Sequence, residues 1–355
     1  MAEQFDILII GGGIAGLSSA LHLAKAGGRR IALLDRELAP GFHASGHNAA
    51  IARQLTGRAE HTMLTIEGRN RLKEEGLLCA EGGLLLCAES GALGPIQQEA
   101  SDLGLSVEFG EGSTLRGIQA AQHLRVPSDG VIDIHGLLGH CARGAREAGV
   151  LIKYGCDVMA VTPRPEGFEV ATSAGTFHAS TLVNAAGAWA GPLGKLAGGL
   201  DIAFRPLRRH LAWSDGQYPA EAPYAWWVDR PLYLRPESGG VLMCPCDETE
   251  VLPPGPGAQP DVDAGVLDSL GQSLSELAPH LVDYPMNRVW SGLRTFAPDR
   301  RFVIGWDPQN PRLFWVAGLG GHGMTSGLAV GRLAADLLLT PREQELGPAR
   351  LIGLA

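Results

Sequence analysis

The chain has 355 residues, with 29 Lys and Arg against 38 Asp and Glu, a formal net charge of −9, and 45% apolar residues. A cation deficit excludes a broad phosphate-neutralising surface, so no nucleic-acid partner is expected. With 19% charged residues the chain can bury a large core and is not disordered, and its length fits two domains or one elaborate α/β domain.

The first elements carry the strongest signal. Phe5 to Ile10 is a short apolar run of the kind a buried parallel strand requires. It enters Gly11-Gly12-Gly13-Ile14-Ala15-Gly16, after which Ile14, Leu17, Leu21 and Ala24 recur at helical spacing until Gly27-Gly28. A second apolar strand, Arg30 to Leu34, ends in Asp35. In this order Gly11 permits the tight turn, Gly13 allows the backbone to approach a pyrophosphate, and Gly16 allows close helix–strand packing. The helix start offers free N–H groups to phosphate, and Asp35 can accept from both ribose hydroxyls. A Gly-rich turn used only for packing would leave the acid unexplained. The unit therefore predicts dinucleotide binding.

Further along, the pattern predicts a polar helix from Ala59 to Glu75, short apolar runs to Cys87, a helix from Gly94 to Gly104 and a turn at Pro127-Ser128-Asp129-Gly130. A helix from Ile134 to Gly149 buries Leu137, Leu138, Cys141, Ala142 and Ala145. A strand from Leu151 to Val161, a hairpin from Pro163 to Gly175 and a strand from Thr181 to Ala185 follow. Residues 203–288 are aromatic and extended, with a surface loop at Pro253-Pro254-Gly255-Pro256-Gly257. Leu267, Leu270, Leu274, Leu277 and Leu281 mark an amphipathic helix broken at Pro279.

The six cysteines form neither a disulfide framework nor a metal spacing, so no metal is expected. The N-terminus lacks a secretory signal, and the uncharged run from Leu313 to Gly331 holds six glycines, which suits a ligand loop better than a membrane span. The expectation is a cytoplasmic protein without a transmembrane segment.

Four blocks carry a family resemblance. Asp35-Arg36-Glu37 followed by Ala44-Ser45-Gly46-His47-Asn48-Ala49-Ala50 resembles the flavin entry of the D-amino-acid-oxidase-like superfamily of FAD-dependent oxidoreductases. STLVNAAGAW (Ser180 to Trp189), WSGLRTFAPD (Trp290 to Asp299) and FWVAGLGGHG (Phe314 to Gly323) are similar to its later cofactor-contacting blocks. Within it the chain is most similar to bacterial D-amino acid dehydrogenases of the D-arginine type, through Tyr233-Leu234-Arg235-Pro236 and Arg208-Arg209.

The resemblance implies a two-domain α/β (α+β) fold. A Rossmann-like FAD-binding domain (1–76, 127–202 and 289–355) is interleaved with an antiparallel-sheet substrate domain (77–126 and 203–288). It implies FAD contacts from Gly11, Gly13, Ile14, Ala15 and Gly16 in the first turn, and from Asp35, Arg36, Ala44 and Ser45 beyond the second strand. Val158, Ala186, Gly187, Trp189 and Gly292 follow, and Gly320, Gly321, Gly323, Met324 and Thr325 close the set. No cysteine follows Cys246, so a C-terminal thioether to the flavin is excluded and the FAD is expected to be non-covalent.

The implied reaction is oxidative deamination of a D-amino acid. A hydride passes from Cα to the flavin N5, and the imine hydrolyses to a 2-oxo acid and ammonia. Oxygen, a quinone or another carrier would accept the electrons. The alternatives are a glycine or sarcosine (N-methyl amino acid) oxidase, a 2-hydroxy acid dehydrogenase on the same scaffold, and a non-catalytic dinucleotide-binding protein.

An Arg fork on the substrate carboxylate fixes position and rotation together, and Arg294 is assigned to it. Tyr233 is assigned beside it, although a tyrosine in an alternating strand is as often a packing residue. Alternation does not decide between Arg208 and Arg209; Arg208 is favoured. His47 and His322 are further candidates, the second for the backbone N–H groups around it. The D-arginine type carries an acid in the stretch matching Ala80 to Cys87, where this chain has glycines, with Glu81 nearby, and polar residues where it has Ile51. An apolar or small side chain is therefore expected over D-arginine.

Overall fold

The computed structural model describes residues 3–340 and 344–353; the remainder of segments 1–76 and 289–355 lies outside the described residues. The chain opens with β1 (Glu3–Ile10), α1 (Ile14–Lys25), β2 (Ile31–Leu34), β3 (Ile51–Ala52) and α2 (Ala59–Glu74). It continues through β4 (Leu78–Cys87), α3 (Gly94–Asp102), β5 (Glu108–Glu111), β6 (Gln122–Ile132) and α4 (Ile134–Glu147). Next come β7 (Leu151–Lys153), β8 (Val158–Arg164), β9 (Gly167–Thr172), β10 (Gly175–Asn184) and α5 (Ala190–Leu196). Five strands follow: β11 (Arg205–Ser214), β12 (Tyr224–Trp227), β13 (Tyr233–Glu237), β14 (Gly240–Cys244) and β15 (Thr249–Glu250). The chain closes with α6 (Gly265–Leu277), β16 (Arg288–Phe296), β17 (Val303–Trp306), β18 (Leu313–Ala317) and α7 (Gly323–Leu339).

The first sheet runs β17-β18-β10-β1-β2-β7, with β8 and β9 attached beside β10. Its centre is parallel: β1 pairs with β10 and β2, β10 with β18, and β2 with β7. Parallel strands must be covered on both faces. Accordingly Ile7 and Ile9 face one core with Leu17, Leu21, Leu138 and Leu328, while Leu8 and Ile10 face another with Phe168, Leu193 and Trp315. The apolar run Ile7 to Ile10, buried on both faces, is thus the signature of a central strand.

The second sheet runs β15-β11-β14-β13-β12-β4-β6-β3, with β16 beside β11 and β5 beside β6. All its pairings are antiparallel except β4 with β12. Together the sheets form the mixed α/β architecture expected.

Hydrogen bonding crosses the domain limits read from the sequence in two places. β6 runs unbroken through 126/127, and β16 is bonded along its length to β11. The turn expected at Pro127-Ser128-Asp129-Gly130 is therefore strand. It lies opposite the bulge in β4 between Glu81 and Gly83, where residues 127–129 have no ladder partner and a missing proline N–H costs nothing. The strand expected from Leu151 to Val161 is likewise two, interrupted at Gly155, which has φ 67°.

What positions the site is the packing of α7. A Cβ placed on Gly327 would lie 2.3 Å from Ile14 Cγ1, and one on Gly331 would lie 2.0 Å from Ser18 Oγ. The glycine face of α7 therefore lies directly on α1. Gly68 of α2 makes the same approach to the opposite side, where a Cβ would meet the Thr325 carbonyl at 2.1 Å. Among the described residues, no helix is long and apolar enough to cross a membrane.

Gly68→Ala should destabilise the fold by about 1–3 kcal/mol through overpacking, since the obstructing atom is backbone. Gly271→Ala, in α6 with no atom near its Cβ, should instead stabilise it by about 0.5–1 kcal/mol. Urea unfolding of both variants checks the opposite signs.

Candidate functional site

The turn between β1 and α1 is built on close backbone approach. Gly11 has φ 115°, and a Cβ there would lie 2.3 Å from the Ala185 carbonyl oxygen; a Cβ on Gly16 would lie 1.9 Å from the Gly11 oxygen. Only glycine closes this turn against β10 and α1 together. The Ile14 N–H then donates to Ser45 Oγ at 3.0 Å, which ties the segment after β2 to the helix start.

Two cavities meet over this turn, sharing Gly13, Ala44, Ser45 and Gly187. The first, about 290 Å³, is lined by Gly11, Asp35, Arg36, Val158, Ala186 and Trp189. Asp35 accepts the N–H groups of Gly12 and Glu37, and burial raises its pKa. Arg36 stacks over Trp189 at 4.0 Å and bonds Glu37 at 2.9 Å.

The second cavity, about 200 Å³, is lined by Ile14, Ala15, His47, Arg53, Arg209, Trp226, Tyr233, Gly292, Arg294 and the run Gly320 to Thr325. An acid at one end, a glycine turn with a helix N-terminus in the middle and a second helix N-terminus at the far end make one elongated cleft. That form fits a dinucleotide whose pyrophosphate crosses the turn. The residues fit the group.

The second cavity is cationic. Arg294 Nη1 donates to Glu248 at 2.8 Å and Nη2 to the Gly320 carbonyl at 3.0 Å. Burial, then the neighbouring Arg209, brings the Arg294 pKa down to about 10, so it stays charged at neutral pH. Arg209 donates to the carbonyls of Asp247 and Cys246, at 3.1 and 2.9 Å, and to Glu248 at 3.3 Å. Although burial opposes it, Arg300, Arg294 and Arg209 hold the Glu248 carboxyl below its usual range.

The favoured Arg208 is a correction. It donates to Asp263 and to the Asp261 carbonyl, both at 3.0 Å, and does not line the cavity. Strand alternation puts Arg209 and Leu211 on the cavity face, with Arg209 opposite Gly292 and so diagonal to Arg294.

Tyr233 opens β13, buried, with its ring 4.5 Å from that of Trp226. Burial raises its pKa well above the usual value, so its hydroxyl stays a donor. His47 lines the cavity with Nδ1 3.4 Å from the Ser291 carbonyl, and its own carbonyl would lie 2.3 Å from a Cβ on Gly292. His322 caps α7; burial, then Arg294, pushes its pKa well below the usual value, so its ring is neutral. Gly320 and Gly321 have positive φ, 50° and 88°, and a Cβ on Gly321 would lie 2.2 Å from Arg294 Nε. The first-turn N–H groups of Gly323, Met324 and Thr325 have no carbonyl within α7 and open on this end of the cavity.

Cys244 and Cys246 do not share a strand. β14 ends at Cys244, and Cys246 has φ 53° with its N–H 3.3 Å from Cys244 Sγ. Among the described residues no cluster could hold a metal ion. Glu81 lies outside the cavity and bonds Arg69 at 2.6 Å and Lys73 at 3.1 Å. Sequence reasoning missed Arg53, Trp226 and Glu248, since no motif surrounds them and only sheet pairing brings them here.

Comparison with known proteins agrees with this geometry. The model of the family described as FAD dependent oxidoreductase (DAO) matches residues 6–337. Mitochondrial dimethylglycine dehydrogenase of Rattus norvegicus is 28% identical over 95% of this chain, which spans 43% of that protein's length. Glycine oxidase of Bacillus licheniformis is 26% identical over 96% of this chain and 94% of its own. Among solved structures, glycine oxidase from Geobacillus kaustophilus superposes with a TM-score of 0.82 at 23% identity, covering 98% of both chains. L-proline dehydrogenase from P. horikoshii gives 0.87 at 20% identity, covering 99% of both. The chain belongs to the FAD-dependent oxidoreductase family, and FAD is its cofactor.

Proposed function

We propose that the chain oxidises glycine or an N-methyl amino acid, the alternative raised by the sequence, rather than a D-amino acid. The observation that carries an amino acid substrate is the pair Arg209 and Arg294, held by one carboxylate beside Tyr233 and next to the start of α7. Two guanidinium groups fix an amino acid's carboxylate in place and orientation, which brings Cα and its nitrogen to a defined position. The names of the relatives, dimethylglycine dehydrogenase and glycine oxidase, support the small or N-methylated substrate over the D-amino acid.

When bound, FAD supplies the electron acceptor for a C–H bond next to nitrogen. The protein's part is to hold the carboxylate and to favour the neutral amine. Its uncompensated guanidinium charge opposes an ammonium group, and neutral His322 adds no further cation. Leu211, Trp226 and Tyr233 supply apolar surface that excludes water around the reacting carbon.

On anaerobic mixing with FAD-loaded protein, glycine, sarcosine or dimethylglycine should bleach the yellow absorbance faster than D-alanine, D-arginine or 2-hydroxyglutarate; fastest bleaching by a D-amino acid would overturn the proposal. Arg294→Ala should lose about 2–5 kcal/mol of transition-state stabilisation, roughly 30- to 5,000-fold in kcat/KM. Arg208→Ala, which removes a rim ion pair, should stay within about fivefold. Equal losses in the two variants would remove the clamp. Acid precipitation should release the yellow colour into the supernatant, and a yellow pellet would refute non-covalent FAD.

A further inference from the structure

One edge of β11 is bonded to β16 from Arg205 to Trp213, while β15 and β14 share the other edge, β15 at Leu207 and Arg208 and β14 from Ala212 to Ser214. Between them, among the described residues, Arg209, His210 and Leu211 have no strand partner on that edge, and residues 244–248 bulge across the gap. Such an interruption re-aims the groups around it. Here it brings the carbonyls of Cys246 and Asp247 and the carboxylate of Glu248 onto Arg209, at 2.9, 3.1 and 3.3 Å. The turn does not keep that shape unaided. Cys246 has φ 53°, a left-handed conformation that a side chain disfavours and that the surroundings must impose.

His210 supplies the anchor. It is buried on the face of β11 turned away from the cavity. Its backbone N–H, which a ladder would otherwise take, donates to Asp247 Oδ1 at 2.9 Å, and its ring Nδ1 lies 2.8 Å from Oδ2 of the same carboxylate. Nε2 lies 2.9 Å from the Asp263 nitrogen, whose N–H can only donate. Nε2 therefore accepts, and Nδ1 carries the proton and donates to Asp247. One residue thus fixes both oxygens of Asp247, while the Asp247 carbonyl holds Arg209. The Nε2 side serves the entry to α6 instead, where Asp263 also accepts from Arg208 and from the Gly265 N–H.

We infer that His210 is a positioning residue for the substrate carboxylate: through Asp247 it sets the turn that aims Arg209. It lines neither cavity and acts by contact alone, from ring to carboxylate to carbonyl to guanidinium. The inference rests on the proposed amino acid substrate for what Arg209 binds. The rest of the segment has other anchors, since the Gly257 N–H donates to Glu37 at 3.1 Å and Ser291 Oγ to the Pro260 carbonyl at 2.8 Å. Loss of the His210–Asp247 contact therefore loosens the turn at the clamp and not the whole segment.

Asparagine and glutamine separate the two ring nitrogens, because an Asn Nδ2–H falls near Nδ1 and a Gln Oε1 near Nε2. The probe is propionate, which is glycine with a methyl group in place of the amine. Its dissociation constant with FAD-loaded protein is read from the shift in flavin absorbance. His210→Gln and His210→Ala should each weaken propionate about tenfold, the size of one charge-assisted contact, whereas His210→Asn should stay within about threefold of the unaltered protein. Asp247→Ala should match the Gln variant, and adding His210→Gln to it should cost nothing more, as two residues of one network require. Equal binding by the Asn and Gln variants, or additive losses in the double variant, would overturn the inference.

Anaerobic reduction by glycine and sarcosine separates this role from the reaction. If the difference between the Asn and Gln variants holds and neither amine reduces the flavin, the positioning stands and the amine oxidation falls. If either amine reduces the flavin and the two variants bind propionate alike, the amine oxidation stands and the role of His210 falls.

Discussion

Three glycines one helical turn apart, Gly323, Gly327 and Gly331, let α7 lie on Ile14 and Ser18 of α1 without an intervening side chain. Because of that contact, two helix starts open on the same cleft, one at the glycine turn and one at the far end. Each supplies free N–H groups and the positive end of a helix dipole, so the cleft is lined by fixed partial charge before any side chain is counted. Gly68 on α2 holds the second helix from the other side. Any Cβ along these seams would move a helix start relative to β1, and the cofactor and substrate ends of the cleft would no longer share one axis.

The electrostatics of the substrate end follow from that frame. Arg294 is reached only because Gly321 has no side chain, and Arg209 is placed by the alternation of β11. One acid, Glu248, engages both, and Arg300 also draws on it. A cavity with surplus cations selects anions and lowers the pKa of an amine brought into it. No lining carboxylate is required to act as a base, because the field itself favours the deprotonated amine. On the proposed function, the field that holds the carboxylate also prepares the nitrogen.

The cofactor end was legible because its signal is contiguous: strand, glycine turn, helix, strand and acid occupy the first 35 residues. The substrate end was not, because its residues meet only through sheet pairing. Period-two alternation says that Arg208 and Arg209 face opposite ways but carries no reference for which way is in; that reference is the register Arg209↔Gly292. The composition at Pro127 to Gly130 reads as a turn, whereas the bulge in β4 that accommodates it lies far away in sequence. One signal was present and read too narrowly. The i, i+4 spacing of Gly323, Gly327 and Gly331 marks a helix with a bare face, not only a ligand loop.

The three cations lining the second cavity differ in how firmly the protein holds them. Arg209 and Arg294 are held by the carbonyls of Cys246, Asp247 and Gly320 as well as by Glu248, so their forks keep one geometry whether or not a carboxylate is bound. Binding there costs little side-chain entropy and fixes Cα sharply, which is what a reaction at one C–H bond demands. Arg53 lies over the Trp226 face and, among the described residues, makes no hydrogen bond or ion pair. On the proposed function, the rigid pair Arg209 and Arg294 fixes where on the substrate the chemistry takes place.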